Sequence, residues 1–257
     1  MRNLFLAEFS RSWILFRRYP IPNISYAVIT FVLFYGLFLG GQYLAGTAAL
    51  VGSRLDALVV GYIVWSLSLS ALADISLSLQ DDMQSGTLEH VYLSPYGPTL
   101  IYLVRGVTKL IINVVITLGV ALLIMLAMGH WLQWRPLALP AGLLTLVSAY
   151  GFSMFFGGLT LLYKRLGGLF GLIQFMLLYL VLMPIESQPF ALQVASILLP
   201  ITPTVALLRQ ILSESGQVQG SWVLIAVGNA VLYMVAGLFL FQRADRVMRV
   251  RGSVSQF

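Results

Sequence analysis

Six apolar stretches recur along this chain of 257 residues: Ile24 to Leu44, Leu55 to Leu79, Leu100 to Met128, Leu137 to Leu162, Leu166 to Ile185 and Trp222 to Phe241. The hydrocarbon core of a bilayer is about 30 Å thick, and roughly 20 helical residues cross it. Each stretch is long enough to span. Charged residues make up only 9% of the chain, against about 25% in a soluble domain, and 59% of residues are hydrophobic. A soluble globular fold is excluded, and lipid is the solvent for most of the chain. The segment SLSLSALADISLSL in the second stretch alternates like a strand, but an open strand in lipid leaves its backbone groups unpaired. Helix is the reading there, with Ser and Ala allowing close packing between helices.

Charge sets the orientation. The 15 Lys and Arg outnumber 9 Asp and Glu, and the excess sits at the ends of apolar segments, a distribution that points to membrane topology and away from nucleic acid. With six spans and the N-terminus inside, twelve basic residues fall on the cytoplasmic side: Arg2, Arg11, Arg17, Arg18, Arg105, Lys109, Lys164, Arg165, Arg243, Arg246, Arg249 and Arg251. Arg54, Arg135 and Arg209 remain outside. A further apolar stretch, Phe190 to Leu208, carries Pro200 and Pro203, and each half is too short to cross. A seventh crossing would also place the C-terminal arginines outside. This stretch therefore reads as a re-entrant or interfacial hairpin before the last span. The expected fold is all-α, one integral domain over residues 1–257, with an interface helix over 1–20, a cytoplasmic loop over 80–97 and an external loop over 186–220.

The chemistry such a chain can carry is narrow. It has no cysteine, and His90 and His130 are far apart, so no metal or redox site is indicated. Glu8, Arg11, Arg17 and Arg18 interrupt any early apolar stretch, so the N-terminus does not read as a signal peptide. No G-x-x-x-x-G-K-[ST] occurs, so there is no phosphate cradle; LGGQ, Leu39 to Gln42, lacks a nucleotide fold around it. Glu186 and Glu214 fall outside while Asp81, Asp82 and Glu89 fall inside, and neither side gathers a nucleophile, base and orienter. An enzyme is not expected.

Two segments outside the spans have definite patterns. In the first eighteen residues Phe5, Leu6, Phe9, Trp13 and Phe16 fall within about 100° of one another on a helical wheel, the pattern of a helix lying along the membrane interface. Between spans two and three, QDDMQSGTLEHVYLSPYGP (Gln80 to Pro98) offers Gly86 to break the incoming helix, Thr87 to cap a new one and Pro95 to stop it. The intervening TLEHVYLS gives about two turns, with Leu88, Val91 and Tyr92 on one side and Glu89 on another. Such an apolar face suits docking of a soluble partner. Within the spans, Asp74 could pair with Arg105 or Lys109 of the returning helix, or the basic pair could snorkel to the interface.

Six spans, an amphipathic N-terminal helix and an acid-rich loop with Gly86, Thr87, Leu88, Glu89 and Pro95 resemble the type-two permeases of ATP-binding-cassette exporters. The resemblance covers nearly the whole chain. It extends to Pro184, Pro189 and LLPITPTVALLR (Leu198 to Arg209), which look like that family's short external helices. It implies that Gly86, Thr87, Leu88, Glu89 and Pro95 form a coupling helix seated in a groove of a separate ATPase subunit, with the N-terminal helix beside it. On that reading, Leu88, Val91 and Tyr92 make the seat, while Asp82 and Glu89 steer toward basic groups of the ATPase. Many members have basic residues just before the glycine, where this chain has Gln80, Asp81, Asp82 and Gln84. The resemblance further implies that the chain itself binds no cofactor, that ATP and magnesium belong to the ATPase partner, and that a second permease, identical or similar, completes the path.

The expected function is a permease subunit of an exporter in the cell membrane, with both termini cytoplasmic. Amphipathic cargo such as drugs or lipids fits a path without buried charge. Trp65, Phe152, Met154, Phe155, Phe156, Phe175, Met176 and Tyr179 are candidates to line it, and the same residues serve packing and lipid contact. The alternatives are a polysaccharide-exporting permease, or a channel or secondary carrier without an ATPase. The last would be expected to show polar mid-membrane helices, and Asn113, Gln174 and Asn229 are few.

Overall fold

The computed structural model describes residues 2–45, 53–129, 131, 135–163, 167–182, 189, 194, 196–212 and 218–250, and among them the regular structure is entirely helical. A mixed helix α1 (Arg2–Arg18) leads into α2 (Pro20–Ala45). The break at Tyr19 follows from Pro20, which opens α2 at the first-turn position where a missing N–H costs nothing. Asn23 Nδ2 donates to the carbonyls of Phe16 at 3.3 Å and Tyr19 at 3.1 Å, so the end of α1 and the start of α2 are tied. Then come α3 (Ser53–Gln84), the short α4 (Leu88–Leu93), α5 (Pro98–Met128), α6 (Ala138–Tyr163), α7 (Gly167–Leu182), α8 (Thr202–Leu212) and α9 (Gly220–Val250).

Five of these helices, α2, α3, α5, α6 and α9, are long and apolar enough to cross a membrane. The sixth expected span corresponds to α7, described over 16 residues. Two helices outrun the apolar stretch that announced them. α3 continues from Leu79 to Gln84, and α9 continues from Phe241 to Val250. Their polar ends, with Asp82 on one and Arg243, Arg246 and Arg249 on the other, therefore stand on rigid helix.

α6 is the centre of the bundle, packed between α3 and α9 and against α8. Small residues make the α6–α9 contact close: a Cβ on Gly237 would lie 1.8 Å from the Gly151 carbonyl oxygen, and one on Gly151 would lie 2.3 Å from the backbone of Tyr233 and Met234. This is the small-residue contact by which helices approach when lipid supplies no hydrophobic drive. On α3 the largest buried rings, Tyr62 and Trp65, pack with Phe34 of α2; the Phe34–Tyr62 ring centroids are 4.5 Å apart.

The segment before the last span descends into the bundle. Ser148 Oγ on α6 receives the N–H of Ile201 at 3.0 Å and donates to Asn229 Oδ1 on α9 at 3.0 Å. Asn229 Nδ2 in turn donates to the carbonyls of Ile197 and Leu199, each at 3.0 Å. Ser148 and Asn229 lie about 14 Å along their helices by helical rise, so the turn sits at depth. Ile201 there is buried at φ 58°, a conformation that a β-branched residue adopts only under constraint. α8 then returns with most of its surface buried, and Arg135 Nη1 closes its end on the Ile211 carbonyl at 2.8 Å.

His130, Lys164, Arg165, Pro184, Glu186, Glu214 and Arg251 lie outside the described residues.

Candidate functional site

The end of α3 turns sharply. Gly86 takes φ +68°, its N–H reaches the Met83 carbonyl at 3.4 Å, and the Thr87 N–H reaches the Asp82 carbonyl at 2.9 Å. These are the two bonds by which a left-handed glycine closes a helix C-terminus. Thr87 precedes α4 as expected, but its hydroxyl makes no capping bond to that helix. It turns back to donate to Asp82 Oδ1 at 3.1 Å. α4 ends at Leu93, with Ser94 extended and Pro95 next, and Pro98 opens α5.

Beneath this turn lies a cluster of charge. Arg105 on α5 donates through Nε and Nη2 to both carboxylate oxygens of Glu8 on α1, at 3.0 and 3.3 Å, and through Nη1 to Asp82 Oδ2 at 2.5 Å. Tyr102 Oη donates to the same Asp82 oxygen at 2.9 Å, and Arg11 Nη2 to the other at 3.2 Å. Two carboxylates thus meet two guanidinium groups. The Asp82 side chain is 1% exposed and that of Arg105 5%. Burying such charges is tolerable only because each is paired and hydrogen-bonded, and removing one partner from a buried pair costs about 3 to 5 kcal/mol. The cluster fastens α1, the end of α3 and the start of α5 into one joint directly behind α4.

This geometry corrects two expectations. Arg105 is held by Glu8 and Asp82 and makes no ion pair with Asp74, while Lys109 lies near enough to act on the Asp74 charge without an ion-pair contact. Because α3 and α5 run antiparallel, each step of four residues back along α3 meets a step of four forward along α5: Asp82 meets Arg105, Ser78 Oγ accepts from Lys109 Nζ at 2.8 Å, and Asp74 Oδ2 accepts from Asn113 Nδ2 at 3.4 Å.

Second, Asp82 does not point toward a partner, because Arg105, Arg11, Tyr102 and Thr87 occupy it. Nor do Leu88, Val91 and Tyr92 form an outward seat. Leu88 and Val91 are buried against the protein's own core, and Tyr92 is half-buried beneath Arg249 of α9, whose guanidinium lies 5.1 Å from the ring centre. Burial, with Asp245 nearby, holds the Tyr92 phenol above its ordinary pKa. The surface that α4 offers instead is Glu89, His90 and Leu93, the last 80% exposed, with Tyr96 beside it.

α1 packs on the protein by a face other than its aromatic stripe. Leu4, Glu8 and Ser12, spaced four apart, are its buried residues, and Ser12 Oγ meets Thr108 Oγ1 of α5 at 3.2 Å. Phe5 and Trp13 are exposed, Phe9 and Phe16 half-buried, with Phe5 stacked on Phe9 and Trp13 on Phe16. The aromatic stripe therefore faces away from the protein. A lone acidic residue among the arginines of α1, and a lone Arg early in an apolar stretch, were the available signals for the Glu8–Arg105 pair.

The candidate path residues divide. Trp65, Met154 and Phe156 are buried packing residues, and Phe152 and Phe155 are half-buried beside Phe156. Phe175, Met176 and Tyr179 stand exposed along α7. No family model matches the chain, and no curated protein or solved structure matches it.

Proposed function

We propose that this chain is the permease subunit of an ATP-driven exporter of the ATP-binding-cassette type, working beside a second permease and two separate ATPase subunits. The observation that carries this reading is the joint of Glu8, Arg105 and Asp82 behind α4. A short helix on a bare loop could receive a partner but could not transmit its movement. Here Thr87, at the start of α4, donates to Asp82 of a charge cluster that joins α1, α3 and α5, so on this reading a push on Glu89, His90 or Leu93 is delivered to three helices together.

In this reading the joint lies at the cytoplasmic end, with both termini inside and α7 as the sixth crossing, in accord with the distribution of basic residues. α1 lies along the interface with its aromatic stripe in lipid. The cargo is amphipathic, and the exposed rings of α7 offer it a face. ATP and magnesium are handled by the partner. The test is purification of the tagged chain from its native membrane in mild detergent. An ATPase that co-elutes, and whose hydrolysis changes with amphipathic cargo, supports the reading.

A carrier without an ATPase is the second reading, favoured by the polar pairs that run from Asp82 and Arg105 inward to Asp74 and Asn113. Each partner in that series is satisfied by the next helix, which suits a structural seam better than a binding site.

A further inference from the structure

On the outer surface of the bundle, α6 and α9 leave a groove of about 200 Å³ between them. Phe155, Leu159 and Leu162 of α6 and Leu240 and Val247 of α9 line it, and Arg243 is the charged residue among them. We propose that this groove binds one anionic phospholipid of the surrounding membrane, its phosphate on Arg243 and an acyl chain along Phe155, Leu159 and Leu240. The proposal needs only that the chain is embedded in a bilayer, and it stands whether or not an ATPase is its partner.

Charge is the first argument. Among the described residues no carboxylate lies within ion-pair distance of Arg243: Asp245, the acidic residue of α9, is taken by Arg249 at 3.2 Å. Arg243 is exposed two residues after the last buried aromatic of α9, Phe241, where the apolar part of the helix ends. An unpaired guanidinium at that level attracts the phosphate of an anionic lipid.

Size is the second. Pockets for drug-sized ligands occupy about 300 to 1,000 Å³; this groove is smaller, and apart from Arg243 its lining side chains are apolar, which suits a hydrocarbon chain. Another protein helix is not the natural occupant. Stable interfaces bury about 800 Å² on each partner, and the small residue that would admit a helix is already used, since a Cβ on Gly158 would lie 3.3 Å from Phe241 Cα of α9.

The test is lipid retention by the full-length chain. Wild type and variants are reconstituted in phosphatidylcholine nanodiscs containing phosphatidylglycerol, extracted in mild detergent, and their bound lipids counted by mass spectrometry. Wild type should retain one phosphatidylglycerol per chain above the background. Arg243→Gln should lower that retention at least fivefold, Arg243→Lys should largely restore it, and Leu159→Trp, which fills the slot without touching the charge, should also lower it. Arg246→Gln, an exposed basic residue outside the groove, should leave it unchanged, and millimolar inorganic phosphate should not displace the lipid. Equal loss in Arg243→Gln and Arg246→Gln would show diffuse surface charge and overturn the proposal. Retention unaffected by Arg243→Gln, displacement by phosphate, or a Leu159→Cys disulfide between two copies in the membrane would overturn it too.

Discussion

Arg105 spans the gap between Glu8 and Asp82, holding one carboxylate with two of its nitrogens and the other with the third. Two segments more than seventy residues apart in sequence are thereby joined through a third helix. Substituting any member leaves a buried charge without its partner. Glu8→Gln and Arg105→Gln should each destabilise the chain, Arg105→Gln by about 3 to 5 kcal/mol. Because they share one interaction, the double variant should lose less than the sum. Thermal unfolding in detergent, run as a double-mutant cycle, checks this; strict additivity would mean the two side chains do not interact.

The contact of Gly151 with Gly237 gives a sharper steric expectation. Gly237→Ala places a methyl 1.8 Å from a backbone carbonyl, so α6 and α9 must separate and the folded protein should be lost or strongly reduced in yield. Gly228→Ala, on the same helix but with open space around the added carbon, should gain about 0.5 to 1 kcal/mol from helix propensity. Yield and midpoint of unfolding distinguish them. Similar behaviour of the two variants would refute the close approach.

At the deep turn, Asn229→Leu removes the donor to Ile197 and Leu199 and the acceptor for Ser148. Each buried polar group so orphaned costs about 1 to 3 kcal/mol, and the turn should loosen. A cysteine placed at Ile201, buried in the native protein, should then react faster with a small thiol reagent in the Asn229→Leu background than alone. An unchanged rate would mean that Asn229 does not hold the turn.

Five of the six expected helices were legible in the sequence because a run of apolar residues long enough to cross a bilayer has few other uses. Pro200 and Pro203 marked the break before α9, where the described residues turn at Ile201 against Ser148 and Asn229. Register was not legible. A pair among Asp74, Arg105 and Lys109 was one of two readings, but which residue faces which across antiparallel helices depends on the length of the turn, and that turn contains α4 and the left-handed Gly86. The buried face of α1 was hidden for a different reason. In water the apolar side of a helix packs inward; at a membrane it can face lipid, and the polar side then turns to the protein. Leu88 and Val91, read as an external seat, follow the ordinary rule instead and pack inward on the protein's own core.

Orientation can be tested directly, because the chain has no native cysteine and is silent to thiol reagents. Single cysteines at Gln133, Gln188 and Gln217 should label with an impermeant reagent in intact cells, and ones at Gln84, Lys164 and Ser253 only after lysis. Labelling of Ser253→Cys from outside would contradict six crossings with both ends inside.

Gly86 separates backbone from surface effects at the turn. It has open space around it, so Gly86→Val should suffer mainly from φ +68°, about 1 to 2 kcal/mol, and disturb the direction in which α4 leaves α3. Glu89→Lys and Leu93→Asp leave the fold intact, because both positions are exposed. The measurement that bears most directly on coupling is substrate-stimulated ATP hydrolysis by the complex purified through this chain, in wild type and in the Glu89→Lys/Leu93→Asp double variant. The expected result is a permease of unchanged thermal stability that has lost its ATPase, or keeps it with hydrolysis no longer responsive to cargo. An ATPase retained in full, with stimulation equal to wild type, would contradict the assignment of α4 as the coupling element.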